Sequence, residues 1–263
     1  MTRVAIIGAG ISGLACARQL AKAGVSVVVF DKGRGIGGRV ATRRAGDLQF
    51  DHGAPFVRAQ RDDFSALLAS LTVDGSAVPW TDDKGVTWTV GSPGMSAIPK
   101  AMGVGLDVRL GTQILKVNAD QSGWHLHYDE TEYVATHIVM TVPKPQIAGL
   151  LGYTHPLIPQ IADVKMEPGL TLMATVTGTT PSITPFLPDD PLALITCDSS
   201  KPNRPLNESS SWVAQAGTEF SVTHLEKNLP DIAALMLPLL CERLGATLGR
   251  ITHAVAHRWR YSR

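Results

Sequence analysis

The chain has 263 residues, 44% of them hydrophobic, with 24 Lys plus Arg against 23 Asp plus Glu and a formal net charge of +1. That length and apolar content suffice for a well-buried core, in one large domain or two interleaved ones. The charge balance argues against a general nucleic-acid or acidic-membrane binder, so any basic patch is local. In chain order, Val4 to Gly8 (VAIIG) reads as a short strand buried on both faces. ISGLACARQLAKAG follows with helical spacing, and Gly24 marks its end. VSVVVFD is a second β-branched strand ending on Asp31, which completes a βαβ unit. Regular structure then stops. DKGRGIGGRVATRR, residues 31–44, holds four glycines and five basic residues. LQFDHGAPF reads as short extended pieces, RDDFSALLASL as a helix, GVTWTVG as a strand, and PGMSAIPKAMG as a helix bent at Pro99. Several strands joined by polar turns run from about Leu106 to THIVMTV, and PKPQIAGLLG is a short helix.

From about Gly152 to Ala216 the chain is rich in Pro, Thr and Ser. The strand-like runs GLTLMATVTG, LALITC and SSWVAQA argue for a packed second lobe rather than a linker. TEFSVTHLEKN and PDIAALMLPLLCERLG are helical, and ITHAVAHRWRY is a final strand. The three cysteines, Cys16, Cys197 and Cys241, lie far apart and in no CxxC spacing, which indicates neither a disulfide framework nor a zinc site. Residues 4–16 lack the basic leader of a signal peptide, and no run of about 20 apolar residues is present. A soluble cytoplasmic protein, monomeric or a weak homodimer, is the expectation.

Gly8, Gly10 and Gly13 form G-x-G-x-x-G between a strand and a helix, with Asp31 at the end of the next strand. Gly8 permits the tight turn, Gly10 lets a pyrophosphate approach, and Gly13 lets helix pack on strand. The first helical residues, Ile11 and Ser12, offer N–H groups to phosphate, and Asp31 accepts from a ribose diol. A glycine-rich turn without a ligand is the alternative, and it leaves the place of Asp31 unexplained. The motif does not separate NAD from FAD. The long stretch before strands resume near Leu106 favours FAD, because a simple nicotinamide dehydrogenase proceeds sooner to a third parallel strand.

DKGRGIGGRVATRR followed by FDHGAPF resembles the flavin amine-oxidase superfamily, nearest to its small bacterial renalase-like members. The resemblance implies a Rossmann-type FAD/NAD(P)-binding domain over 1–60 and 94–150. It also implies an interleaved α+β substrate domain on a mixed sheet over 61–93 and 151–263. It places Gly37, Gly38 and Arg39 at the FAD diphosphate, with Lys32 among the cofactor contacts. Gly53, Ala54, Pro55 and Phe56 would line the flavin, the backbone of Ile114 would meet adenine, and Thr141 would lie beside the cofactor. An arginine there adds a fixed charge and a fork of donors that one helix N-terminus lacks. Arg34, Arg43 and Arg44 are either surface charges or substrate-side residues.

Two departures qualify the resemblance. Family members continue past the point matching Arg263 with a G-D segment and a helix that contacts FAD again, so either a C-terminally shortened form or a chain that binds flavin weakly is the expectation. Pro55 and Phe56 also stand where close relatives have Gln and Tyr. The implied reaction is hydride transfer from a small dihydronicotinamide-like or amine substrate to flavin N5, with O2 as reoxidant and H2O2 as product. A non-catalytic nucleotide-binding remnant and an NAD(P)-dependent reductase remain alternatives. No residue takes a catalytic assignment. His125 and His127 share a strand face with no third metal ligand evident, and read as a solvated hairpin. His257, Trp259 and Tyr261 share another face, either lining a substrate cavity or forming an ordinary aromatic sheet face.

Overall fold

The computed structural model describes residues 1–82, 84–178, 191–205 and 208–263, so part of the proline-rich stretch lies outside the described residues. The chain forms two compact units, Met1–Arg39 with Pro99–Met166 and Val40–Ile98 with Glu167–Arg263. Residues 40–60 and 94–98 therefore pack within the second unit, although the sequence reading grouped them with the first by their cofactor role.

The first unit is built on a four-stranded parallel sheet. The strand Arg3–Ile7 lies between His137–Met140 and Ser26–Phe30, and Asp107–Arg109 forms the far edge. Alternation decides which residues face which side. Val4, Ile6 and Val29 point to one face with Ala17 of the helix Ile11–Lys22. Ala5, Ile7, Val28 and Phe30 point to the other, against Ile114, Val117, Leu126 and Ala135. The last three of these belong to a three-stranded antiparallel sheet, Lys116–Asp120, Gly123–Tyr128 and Thr131–Ala135. A parallel sheet covered on both faces explains why VAII and VVVF are continuous apolar runs. His125 and His127 stack at 6.4 Å on the outer surface, and His125 pairs with Asp120 and Glu132.

The second unit centres on four strands ordered Leu194–Cys197, Ser209–Gln215, Gly169–Thr177, Ile251–Trp259. Among the described residues its pairings are antiparallel. One face carries Leu170, Leu172, Ala174, Val176 and Ala256 against Ile232, Met236 and Leu240 of the helix Leu229–Leu244. Asn228 caps that helix by accepting from the Asp231 N–H, and left-handed Gly245 ends it. The other face packs Met173 and Val213 under Phe50. Two short ribbons, Arg43–Ala45 with Leu48–Phe50 and Ala77–Thr81 with Thr87–Gly91, complete the unit with the helix Asp62–Val73.

Candidate cofactor and substrate-side sites

The first glycine loop is shaped by close backbone packing. Gly8 has φ +113, and a Cβ there would stand 2.6 Å from the Thr141 hydroxyl. A Cβ on Gly13 would stand 1.9 Å from the Gly8 carbonyl oxygen, so only glycine lets the helix approach the strand. At Gly10 the situation is opposite, with nothing within 4 Å of an added Cβ. The helix Ile11–Lys22 has no side-chain cap, and its first intrahelical bond is from Leu14 N–H to Gly10 O at 3.0 Å. The N–H groups of Ile11, Ser12 and Gly13 therefore remain for an anion at the positive end of the helix dipole. The open face at Gly10 and these N–H groups fit a dinucleotide diphosphate.

The second glycine loop is docked on the first. Gly37 N–H donates to Ala9 O at 2.9 Å, and Gly10 and Gly37 form an isolated parallel bridge. Gly37 and Gly38 have φ +121 and +57, and an added Cβ on Gly38 would lie 3.3 Å from Gly10 Cα. Asp31 ties the two loops: its carboxylate accepts from Ala9 N–H at 2.6 Å and from Gly33 N–H at 2.7 Å. A carboxylate has about four lone-pair sites, so it keeps acceptor capacity for a ribose. One unit thus brings Gly8, Gly10, Ile11, Ser12, Gly13, Asp31, Lys32, Gly37 and Gly38 together and ends on the exposed Arg39. Thr141 lies beneath Gly8, its hydroxyl 3.1 and 3.0 Å from the carbonyl oxygens of Ile7 and Gly8. Ile114 is a core residue of the same unit, 6% exposed.

Gly53, Ala54, Pro55 and Phe56 belong to the second unit. Their segment is anchored along its length. Gly53 O accepts from Gln215 Nε2 at 2.5 Å, Phe56 stacks on Trp88 at 4.2 Å, and Val57 bridges to Thr89. Just before them stands Asp51, fully buried. It accepts from Thr42 Oγ1 at 2.6 Å, Met95 N–H at 2.8 Å, Lys201 Nζ at 3.1 Å and Arg204 Nη2 at 2.6 Å. Lys201 also pairs with Asp198 at 2.5 Å, and Asp198 accepts from the Asp51 N–H. Burial opposes ionisation of Asp51, but the Lys201 and Arg204 charges and its hydrogen bonds hold its carboxyl below the usual range. Burial, against the opposing Lys201 charge and with the Asp51 charge adding to it, pushes the Asp198 carboxyl up.

His52 is 8% exposed. Its ring meets His257 edge-on at 4.8 Å and stacks on Trp259 at 5.3 Å, and Trp259 Nε1 donates to His52 O at 3.0 Å. Burial, then His257 and Arg43, depress the His52 imidazole to about 4. Burial and Arg43 also lower His257. Both rings are therefore neutral near pH 7.

Sequence reasoning singled out His257 and Trp259 without choosing between a cavity wall and an ordinary sheet face, and did not single out Asp51, His52, Asp198, Lys201 or Arg204. The available signal was the Asp198/Lys201 spacing of three in a polar stretch, which meets across a 3-10 turn. Their partner lies some 150 positions away, beyond any local pattern.

Residues 6–71 match the family described as an NAD(P)-binding Rossmann-like domain, and residues 80–187 match the family described as flavin containing amine oxidoreductase. Protoporphyrinogen oxidase 2, chloroplastic/mitochondrial, of Arabidopsis thaliana is 36% identical over 69 residues, covering 26% of this chain and 14% of that protein. The aligned stretch is thus a small part of this curated relative. Among solved structures, cyclohexylamine oxidase from Brevibacterium oxydans superposes with a TM-score of 0.77 at 14% identity, over 98% of this chain and 84% of that one. Reduced UDP-galactopyranose mutase gives 0.75 at 12% identity, over 99% and 83%. At these identities the likeness concerns the fold, and it covers nearly the whole chain.

Proposed function

We propose, taking the chain as a member of the flavin amine-oxidase superfamily on its two family matches and its fold, that it is an FAD-dependent oxidoreductase acting on a small molecule. The observation that carries this reading is the pair of docked glycine loops, with an open face at Gly10 and three helix N–H groups lacking partners among the described residues. FAD fits because its diphosphate needs more than one helix end to neutralise it. Ile11, Ser12 and Gly13 would donate to that diphosphate, Arg39 would add a guanidinium, Asp31 would accept from the ribose, and Lys32 would flank it. Ile114 would meet the adenine through its backbone. Thr141 would hold the loop from below, and Gly53, Ala54, Pro55 and Phe56 would form the flavin side of the second unit.

Bound FAD would supply the two-electron acceptor, with dioxygen as its oxidant and hydrogen peroxide as product. The residues bind and orient, and none is assigned as a general acid or base. A renalase-type substrate, dihydronicotinamide-like, or an amine is the finer reading. The likeness to a mutase shows that this fold also hosts other chemistry. Anaerobic mixing of the flavin-loaded chain with a dihydronicotinamide nucleotide, and separately with an alkylamine, tests the assignment. Bleaching of the long-wavelength flavin band by either supports an oxidoreductase. An unbleached band with both removes the support for these two substrate classes.

A further inference from the structure

We propose that Arg43, His257 and Trp259 form a recognition site for an oxyanion, a carboxylate or a phosphate, carried by the substrate. The proposal rests on the reading of the second unit as the substrate side of a flavin oxidoreductase. All three residues lie in that unit.

His257 and Trp259 project to the same side of the strand Ile251–Trp259, and their rings meet at 4.4 Å. His52 buttresses both from the segment that follows the strand Leu48–Phe50. The His257 ring packs against His52 and Trp259. It is half-buried, and neither nitrogen has a hydrogen-bond partner among the described residues. The Arg43 guanidinium is exposed and likewise makes no ion pair or hydrogen bond among them. Arg43 stands opposite Phe50 in its ribbon, and Phe50 stacks at 5.5 Å on His253 of the strand that carries His257 and Trp259. The half-buried imidazole and the arginine on this side of the strand are donors open to an acceptor.

The charges nearby settle the sign of that acceptor. Arg43 on the strand Arg43–Ala45 acts on both imidazoles. Asp51 is the acid whose charge acts on His52, and it is already engaged by Lys201 and Arg204. The field at His257 is therefore positive, which repels an alkylammonium and attracts an oxyanion. Arg43 can present its fork to that oxyanion, and His257 one N–H. An oxyanion placed there favours the protonated ring, so its binding raises the His257 titration midpoint.

The test follows the His257 ring by NMR in the full chain, its signal assigned by its loss in His257→Gln. Inorganic phosphate or acetate raises the midpoint by about one pH unit, and ethylammonium leaves it in place. A response to phosphate alone points to a phosphate-bearing substrate, and one to acetate alone to a carboxylate. In Arg43→Ala and in Arg43→Gln, both at an exposed position, flavin retention persists and the response to anions disappears. A midpoint unmoved by either anion, an undiminished response in both Arg43 variants, or a larger response to ethylammonium overturns the proposal. The titration requires neither turnover nor flavin. A colourless chain that still responds to anions would therefore count against the proposed function and not against this site.

Discussion

At Gly13 and Gly10 the same substitution has opposite meanings. Alanine at Gly13 drives a methyl group into the Gly8 carbonyl at 1.9 Å. The helix must shift, at about 1–3 kcal/mol in stability, and dinucleotide binding is lost with it. Alanine at Gly10 meets no protein atom within 4 Å, and φ −74 there suits any residue. Gly10→Ala should keep stability within about 0.5 kcal/mol while weakening FAD at least about tenfold, as read by equilibrium titration. Equal effects of the two variants on stability would contradict the packing argument. His52 makes a pH prediction of definite sign. Its imidazole is depressed from 6.5 to about 4, so between those values the unfolded chain binds the proton more tightly. Stability is present above 6.5 and falls toward 4, by roughly 3 kcal/mol over the window. His52→Gln should flatten that slope in urea melts taken from pH 7 to pH 4, and an unchanged slope would exclude His52 as its source. The spacing of Gly8, Gly10, Gly13 and Asp31 was legible because the βαβ turn constrains neighbours in sequence. The clip by which Asp31 holds Ala9 and Gly33 was not, because the acceptor capacity of a carboxylate does not say which donor takes it.

Among the elements, the loop after Asp31 and the turn at Asp198–Ser200 do work that their local sequence only half discloses. The first reads as a basic glycine loop, and its docking on Gly10 through Gly37 follows from two positive φ angles that glycine alone adopts readily. The second supplies Asp198 and leads into Lys201 and Arg204, which hold the strand Leu48–Phe50 and the following segment through Asp51. Lys201→Met strands Asp198 in the interior and should cost about 3–5 kcal/mol in denaturant unfolding. Adding Asp198→Asn to it should recover part of that loss, and a Lys201→Met cost below about 1 kcal/mol would mean the pair is not buried as described. Sequence pattern placed most strands and helices. It overlooked the strand Ala77–Thr81, where Pro79 interrupts the propensity yet sits exposed in a two-stranded ribbon that tolerates a missing donor. It also expected a bend at Pro99. The helix Ala97–Gly103 begins later, and Pro99 falls in its first turn, where no N–H is needed.

The whole chain divides into two units, each assembled from two separate stretches of sequence. The α/β class and the Rossmann half were legible, because a βαβ unit declares its pairing through short connections. The strand order of the antiparallel sheet was not, because its partners are up to 90 positions apart and alternation alone does not choose among them. No helix among the described residues is long and apolar enough to cross a membrane. The two docked loops as one FAD cradle are tested most directly by the visible absorption of the purified full chain, recorded before and after incubation with FAD and desalting, beside Gly10→Ala. Flavin bands that stay with the native chain and leave the variant are the expected result. A native chain that remains colourless after incubation would contradict it.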